Sequence, residues 1–255
     1  MLFDSIIYGP IHSRRLGVSL GVNLMPTDKK LCTFNCVYCE CGWNTKALYP
    51  LLPSRQAVRD EMEAKLLALQ AEGVRPDVIT FSGNGEPTLH PDFPGIIQDT
   101  CALRDRYCPA AKVSVLSNST QLGRAAVREA LMRCDNRILK LDSAIDATMR
   151  LIDQPLNPQL TVRQLMDWLR LFDGDFTLQT CFLRGRHNGH RLDNTTPAEL
   201  DAWYQAVEEL HPRQVMIYVI DRATPEQQLE KISRDEMERI AAPLLEKGYP
   251  ISISA

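Results

Sequence analysis

From residue 18 onward, short apolar runs alternate with amphipathic stretches, and this alternation restricts what the chain can fold into. Strand-like runs fall at residues 18–24, 77–82, 112–117, 137–142, 176–183 and 214–220, with a short final one at 251–254. Between them, apolar residues recur at helical spacing. Ser54 is placed to cap a helix whose Val58, Met62, Leu66 and Leu69 share one face, and Gly73 followed by Pro76 marks its stop. Further helices are expected at 93–107, 119–133, 161–172, 197–210 and 233–247. Strands that alternate with helices imply parallel β-α units joined by right-handed crossovers. Six units are too few for a closed eight-stranded barrel, so the expected architecture is α/β, a partial (β/α)6 barrel of parallel strands. No repeat, low-complexity tract or long linker interrupts the 255 residues, which read as one domain, 1–255.

The strand interiors add to this. A parallel strand covered on both faces should be almost continuously apolar, yet several of these alternate. Ser19, Gly21 and Asn23 oppose Leu20, Val22 and Leu24; Lys140 and Asp142 oppose Leu139 and Leu141; Thr177, Gln179 and Cys181 oppose Phe176, Leu178 and Phe182. Side chains change sides at each residue of a strand, so one parity meets helices and the other faces a polar concavity or solvent. Composition limits the partners. Lysine and arginine number 29 against 32 acids, a net charge of −3, so no global field draws the protein to nucleic acid. No apolar run reaches the roughly 18 residues of a membrane span, and the N-terminus lacks the pattern of a signal peptide. Eight cysteines in a chain of this size do not read as a disulfide scaffold, and a reduced, cytoplasmic protein is expected.

Three of those cysteines, Cys32, Cys36 and Cys39, form a C-x3-C-x2-C unit with Tyr38 before the last. Tight thiolate clusters hold zinc or iron–sulfur centres. Zinc usually takes four ligands in two pairs, whereas three thiolates on a four-iron cube leave one iron open. A zinc knuckle or buried thiols are the alternatives. Cys41 lies beside the unit, either as a structural or as a substrate-facing thiol. The loop follows the first parallel strand, at the end where α/β folds place their sites. The second strand runs into Ser82-Gly-Asn-Gly-Glu-Pro87. Its glycines allow a close backbone approach to a ligand, unless they serve only a turn, and Glu86 can orient ligand or loop.

The cysteine spacing, with Gly83, Gly85 and Glu86 one β-α unit later, resembles the signature of the radical S-adenosylmethionine (SAM) superfamily. The stretches Gly9-Pro-Ile-His-Ser-Arg-Arg-Leu-Gly17, Gly85-Glu-Pro-Thr-Leu-His-Pro-Asp-Phe93 and Gln214-Val-Met-Ile-Tyr-Val-Ile-Asp-Arg222 resemble one branch. It groups iron–sulfur oxidoreductases with the enzymes of wyosine synthesis on transfer RNA. Asn84 departs from the superfamily's Gly-Gly-Glu-Pro element. The resemblance implies a [4Fe-4S] cluster on Cys32, Cys36 and Cys39. It implies SAM held by Tyr38, Gly83, Gly85, Glu86, Asn118 near the ribose and Lys140 near the methionine carboxylate. Gln179 joins them or merely fills the barrel; Tyr218 poses the same choice as a substrate contact. His12, Arg14, Arg15, Tyr218, Asp221 and Arg222 are the candidate substrate contacts. The arginine pair suits a phosphate or carboxylate, or a structural salt bridge.

The implied reaction is reductive cleavage of SAM to methionine and a 5′-deoxyadenosyl radical that abstracts hydrogen from a substrate. The electron would come from a partner such as flavodoxin or ferredoxin. The branch implies a nucleotide or transfer RNA as substrate. Against it, residues 1–31 contain no cysteine, whereas wyosine-forming relatives carry a second cluster there. The competing reading is a peptide- or protein-modifying enzyme such as a glycyl-radical activase. A metal-binding or electron-transfer protein is the non-enzymatic one.

Overall fold

The computed structural model describes residues 2–13, 16–45 and 51–255. Its contacts gather the chain into two units. One comprises Met1–Cys32, Asn44–Ser117 and Gln121–Arg137, the other Thr33–Trp43, Asn118–Thr120 and Ile138–Ala255.

In the first unit β1 (Ile7–Ser13) pairs antiparallel with β2 (Gly17–Val22), and β2, β3 (Val78–Phe81) and β4 (Lys112–Ser117) run parallel in that order. The connections carry α1 (Arg55–Ala71) and, after a 3-10 turn at Pro87–Leu89, α2 (Phe93–Tyr107). A third helix, α3 (Ala125–Met132), follows β4. Ser54 caps α1 by accepting the Ala57 N–H at 3.1 Å, and Val58, Met62, Leu66 and Leu69 are its buried residues. Ile79, Phe81, Val113 and Val115 of the strands are buried as well, and burial favours each large apolar side chain by about 1.5–3 kcal/mol.

The boundary between units falls inside β5 (Asn136–Lys140). In the second unit β5, β6 (Thr177–Cys181), β9 (Gln214–Tyr218) and β11 (Ile251–Ser254) run parallel in that order. A separate antiparallel sheet has the order β10-β7-β8, formed by β7 (Leu183–His187), β8 (His190–Asp193) and β10 (Leu229–Lys231). The helices are α4 (Asp146–Ile152), α5 (Val162–Arg170), α6 (Pro197–Leu210) and α7 (Arg234–Glu246). Thr161, Thr196 and Ser233 cap the last three with their hydroxyls. Trp203 of α6 anchors the core, its ring edge-on to Phe182 at 5.1 Å and its indole N–H donated to Thr180 Oγ1 at 2.9 Å.

All six expected strands and the final one are present. The helix expected at 119–133 is shortened to Ala125–Met132 because Ser119 takes a left-handed φ of 70°. Asn118 Oδ1 also accepts the Thr120 N–H, turning the chain out of β4 before any helix begins. Five elements were not expected: β1, α4, the two strands of the hairpin β7–β8 and their partner β10. The polar parity is buried and internally bonded. Ser19 Oγ lies 2.8 Å from Thr80 Oγ1, and the space a Cβ on Gly21 would need is filled by the Tyr8 ring. That ring stacks on Phe3 at 3.8 Å.

Candidate functional site

The cysteine loop begins in the first unit and continues in the second. In the first unit Leu31 bridges Gly85: the Leu31 N–H donates to Asn84 O at 2.8 Å and the Glu86 N–H to Leu31 O at 3.1 Å. The fit is close, since a Cβ built on Gly85 would lie 1.7 Å from Leu31 O, and φ there is +148°. Gly83, φ +131°, has its Cβ direction blocked by Asn23 in the same way. Both glycines are required by the protein's own packing. Asn84 is fully buried, its amide bonded to Phe3 N, Phe3 O and Pro26 O at 2.8 Å each. Glu86 caps the 3-10 turn. Its Oε1 accepts from Thr88 N at 3.1 Å, Thr88 Oγ1 and Ser117 Oγ at 2.9 Å. Cys32 is half-buried in this unit, with its carbonyl accepting from Asn44 Nδ2 at 3.1 Å.

In the second unit the end of α4 straps the rest of the loop. Asn35 N–H donates to Asp153 O and Val37 N–H to Ile152 O, each at 2.9 Å. Cys39 N–H closes a turn onto Cys36 O at 3.1 Å, and Gly42 N–H one onto Cys39 O at 2.9 Å. The Val37 side chain packs with Ile152, Cys181, Leu183 and Leu192. Inside this wrapping Cys36 is buried, and its Sγ lies 3.0 Å from the Lys140 ammonium. Lys140 also meets Asp153 Oδ1 at 2.5 Å and Asp142 Oδ2 at 3.0 Å, and sits 4.9 Å above the Tyr38 ring. Tyr38 donates its hydroxyl to Asp142, and Asp142 Oδ1 accepts the Cys181 N–H at 2.9 Å. Burial works against the Lys140 charge, but Asp142 and Asp153 outweigh it and hold the ammonium well above the usual lysine value. Burial pushes Asp153 up to about 7 against the pull of Lys140, and burial with the Asp142 charge raises Tyr38.

The remaining expected residues divide. Asn118 forms a triangle with Thr33 and Thr120, donating to Thr33 Oγ1 at 2.8 Å and accepting from Thr120 Oγ1 at 2.8 Å. Gln179 is buried with its amide 3.4 Å from Met216 Sδ. Tyr218 stands edge-on to Tyr38, hydroxyls 3.4 Å apart. Arg222 pairs with Glu40 at 2.8 Å and Asp221 with Lys231 at 3.5 Å, so the segment after β9 is tied to the cysteine loop. His12 is exposed on β1, opposite Val18. Arg14 and Arg15 lie outside the described residues. Cys41 is half-buried, as is Cys101, whose thiol burial pushes up. The sequence reading missed Asp153, Phe34, whose ring centroid lies 5.2 Å from the Lys140 ammonium, and the His187–Glu226 pair at 2.7 Å. Of these only Asp153 had a neighbour to betray it, the helix end that positions it, and that helix is too short to show a periodicity.

Among the described residues no three His, Cys, Asp or Glu side chains are gathered closely enough to hold a metal ion. The donor chemistry nevertheless suits an iron–sulfur cluster: three cysteines outside any disulfide on one loop, one of them against a buried cation able to balance a thiolate.

Comparison with solved structures decides the fold. A radical SAM methyltransferase from Sphaerobacter thermophilus superposes on 92% of this chain and 65% of its own, with a TM-score of 0.67 at 14% identity. The fold is that of the radical SAM enzymes. SuiB of Streptococcus suis bound to its precursor peptide SuiA matches 92% of this chain and 48% of its own, TM-score 0.61 at 12% identity. TYW1 with a lysine–pyruvate adduct matches 89% and 73%, TM-score 0.62 at 14% identity. No protein-family model matches the chain. Among curated proteins, a GTPase Obg of Brachyspira hyodysenteriae is 30% identical over 91% of this chain, which spans 32% of that protein. A UPF0026 protein of Helicobacter pylori is 28% identical over 97% of this chain and 76% of its own. This chain contains no Gly-Lys pair, hence no P-loop sequence to connect with the GTPase name. Among the described residues no helix is long and apolar enough to cross a membrane.

Proposed function

We propose that the chain is a radical SAM enzyme that modifies a peptide or protein. The observation that carries the first half is Cys36 held against the Lys140 ammonium, on a loop strapped by the end of α4. Cys32, Cys36 and Cys39 hold a [4Fe-4S] cluster in this reading. Bound there with SAM, the cluster supplies the one-electron chemistry that cleaves SAM and abstracts hydrogen from a substrate. A small redox protein such as flavodoxin or ferredoxin supplies the electron.

The chain's own residues hold and shape the site. Gly85 lets the Leu31 carbonyl approach and so sets the start of the cysteine loop. Glu86 fixes the turn through Thr88 and Ser117. Asp142 and Asp153 keep Lys140 charged, and Lys140 places its ammonium 3.0 Å from Cys36 Sγ, where it would balance a ligating thiolate. Tyr38, Asn118 and Gln179 remain the SAM contacts, with Gly83, Gly85, Glu86 and Lys140.

Two considerations support a peptide over a transfer RNA. SuiB shares the fold with a peptide bound, and a net charge of −3 gives no attraction to a polyanion. The likeness to TYW1 supports the second reading, a nucleotide or transfer RNA. Anaerobic reconstitution followed by dithionite and SAM tests the radical chemistry. Formation of 5′-deoxyadenosine by the wild type, abolished in Cys36→Ala, is expected; a fully loaded protein that forms none sinks the proposal.

A further inference from the structure

The small antiparallel sheet carries an electrostatic conflict that, among the described residues, is relieved for only one of its two arginines. In the register of β7 and β8, Arg186 stands directly opposite Arg191. Residues so paired lie about 5 Å apart on one face, and like charges there cost stability. The next pair along shows what a relieved position looks like: Arg184 stands opposite Asp193 on one side and Glu230 on the other, and its guanidinium reaches Glu236. Arg191 reaches back to Asp193 at 2.9 Å. Asp193 is then fully engaged, since Thr195 N–H and Oγ1 donate to it at 2.9 and 2.7 Å. Arg186 is exposed and, among the described residues, has no acidic partner. Its neighbour on the other side is Gln228, just before β10, whose carbonyl accepts the Arg186 N–H at 3.0 Å. The opposite face of the sheet presents Leu183, Leu192 and Leu229 to the core, so the arginine face cannot turn inward.

This face borders a recess of about 590 Å³ lined by Arg184, Arg186, Arg191, Gln228 and Glu230 among others. We infer that the recess is a docking site for an acidic segment of a peptide or protein, with a carboxylate bridging Arg186 and Arg191. The guanidinium fork matches a carboxylate in two parallel hydrogen bonds, and binding one between two opposed arginines removes the repulsion they carry in the free protein. The volume is far larger than one carboxylate needs and accommodates neighbouring residues of an extended chain. Nucleic acid fits less well, because the recess offers no aromatic ring for a base to stack on. The inference rests on the peptide reading above and narrows it to acidic substrates.

Fluorescence anisotropy with the full chain and labelled hexaglutamate tests it, with hexaglutamine as the uncharged control and transfer RNA as competitor. Hexaglutamate is expected to bind saturably and hexaglutamine not. The Arg186→Gln/Arg191→Gln double variant should bind hexaglutamate about tenfold or more weakly, as expected for loss of charge-assisted pairs. Gln228→Glu, which gives Arg186 an internal partner, should also weaken binding while raising the thermal midpoint. Circular dichroism confirms that each variant is folded. Hexaglutamate affinity unchanged in the double variant and in Gln228→Glu overturns the inference, as does transfer RNA displacing hexaglutamate from this face. Wild-type 5′-deoxyadenosine formation is read separately: its absence removes the radical SAM proposal and says nothing about peptide binding, whereas its presence with no hexaglutamate binding removes only the docking site.

Discussion

The Lys140 ammonium lies 3.0 Å from Cys36 Sγ and is held by two buried carboxylates, Asp142 and Asp153, the second of which also lies 3.5 Å from that sulfur. Lys140 is therefore both a structural cation and a positive charge against Cys36, a ligand of the proposed cluster. Replacing it with Met leaves two carboxylates buried with no cation, and breaking a buried pair in this way costs about 3–5 kcal/mol. Denaturant unfolding of Lys140→Met should show that loss. Lys140→Met/Asp153→Asn should recover part of it, because one of the stranded charges is gone. A double variant as unstable as the single one would mean that packing, not charge, makes Lys140 necessary.

The glycines of the two loops should respond differently to a methyl group. Gly85→Ala drives a Cβ to 1.7 Å from the Leu31 carbonyl, a backbone atom that can move only by displacing the start of the cysteine loop. Gly42, in the cysteine loop itself, has nothing within 4 Å of its Cβ direction but a φ of +81°. Gly42→Ala should cost only the left-handed penalty of about 1–2 kcal/mol. Iron content per chain after anaerobic reconstitution checks the contrast: low for Gly85→Ala, near wild type for Gly42→Ala. Equal loading of the two variants would remove the strap from the argument.

The parts legible in the sequence were those with a period. The α1 face from Val58 to Leu69 and the alternation in β2, β5 and β6 each repeat over enough residues to show the element and its buried side. The second sheet escaped because its strands carry charge. Asn188 and Gly189, both at positive φ, form the two-residue turn that most strongly marks a hairpin, but Arg184, Arg186, Arg191 and Asp193 hid the flanking strands from a search for apolar runs. Asp153 was invisible for another reason. It follows a seven-residue helix, and its role depends on the tertiary approach of Lys140 and Cys36. The glycines were read for their freedom, but the groups that fill the space beside them, Asn23 and Leu31, are set by packing.

Acid should weaken the first unit through Asp99. Its carboxylate takes a two-pronged contact from Arg55, Nε to Oδ2 at 2.7 Å and Nη2 to Oδ1 at 2.8 Å, joining α1 to α2. The Arg55 hydrogen bonds hold the Asp99 pKa below the ordinary carboxylate value. A depressed folded pKa contributes stability above the unfolded value, about 3.9 for aspartate, and the contribution disappears as pH falls through the folded value. Asp99→Asn should therefore lower the urea midpoint at pH 7, with the gap to wild type closing as the pH falls below about 4. A gap that stays constant from pH 7 to pH 3 would assign the effect to hydrogen bonding alone.

Asn84 gives the sharpest test of how far this chain follows the Gly-Gly-Glu-Pro pattern. A glycine there would match the superfamily element, so pattern alone expects Asn84→Gly to be harmless. The structure expects otherwise. The buried amide joins Phe3 and Pro26 to the turn through three hydrogen bonds, and the backbone groups it serves lose their partner when it is removed. Each lost bond costs about 1 kcal/mol, more where a buried group is left unpaired. Unfolding of Asn84→Gly should show a loss of about 3 kcal/mol, and limited proteolysis should cut the first residues faster than in wild type. If the variant matches wild type in both, the N-terminal segment is held by the Phe3–Tyr8 stack rather than by Asn84.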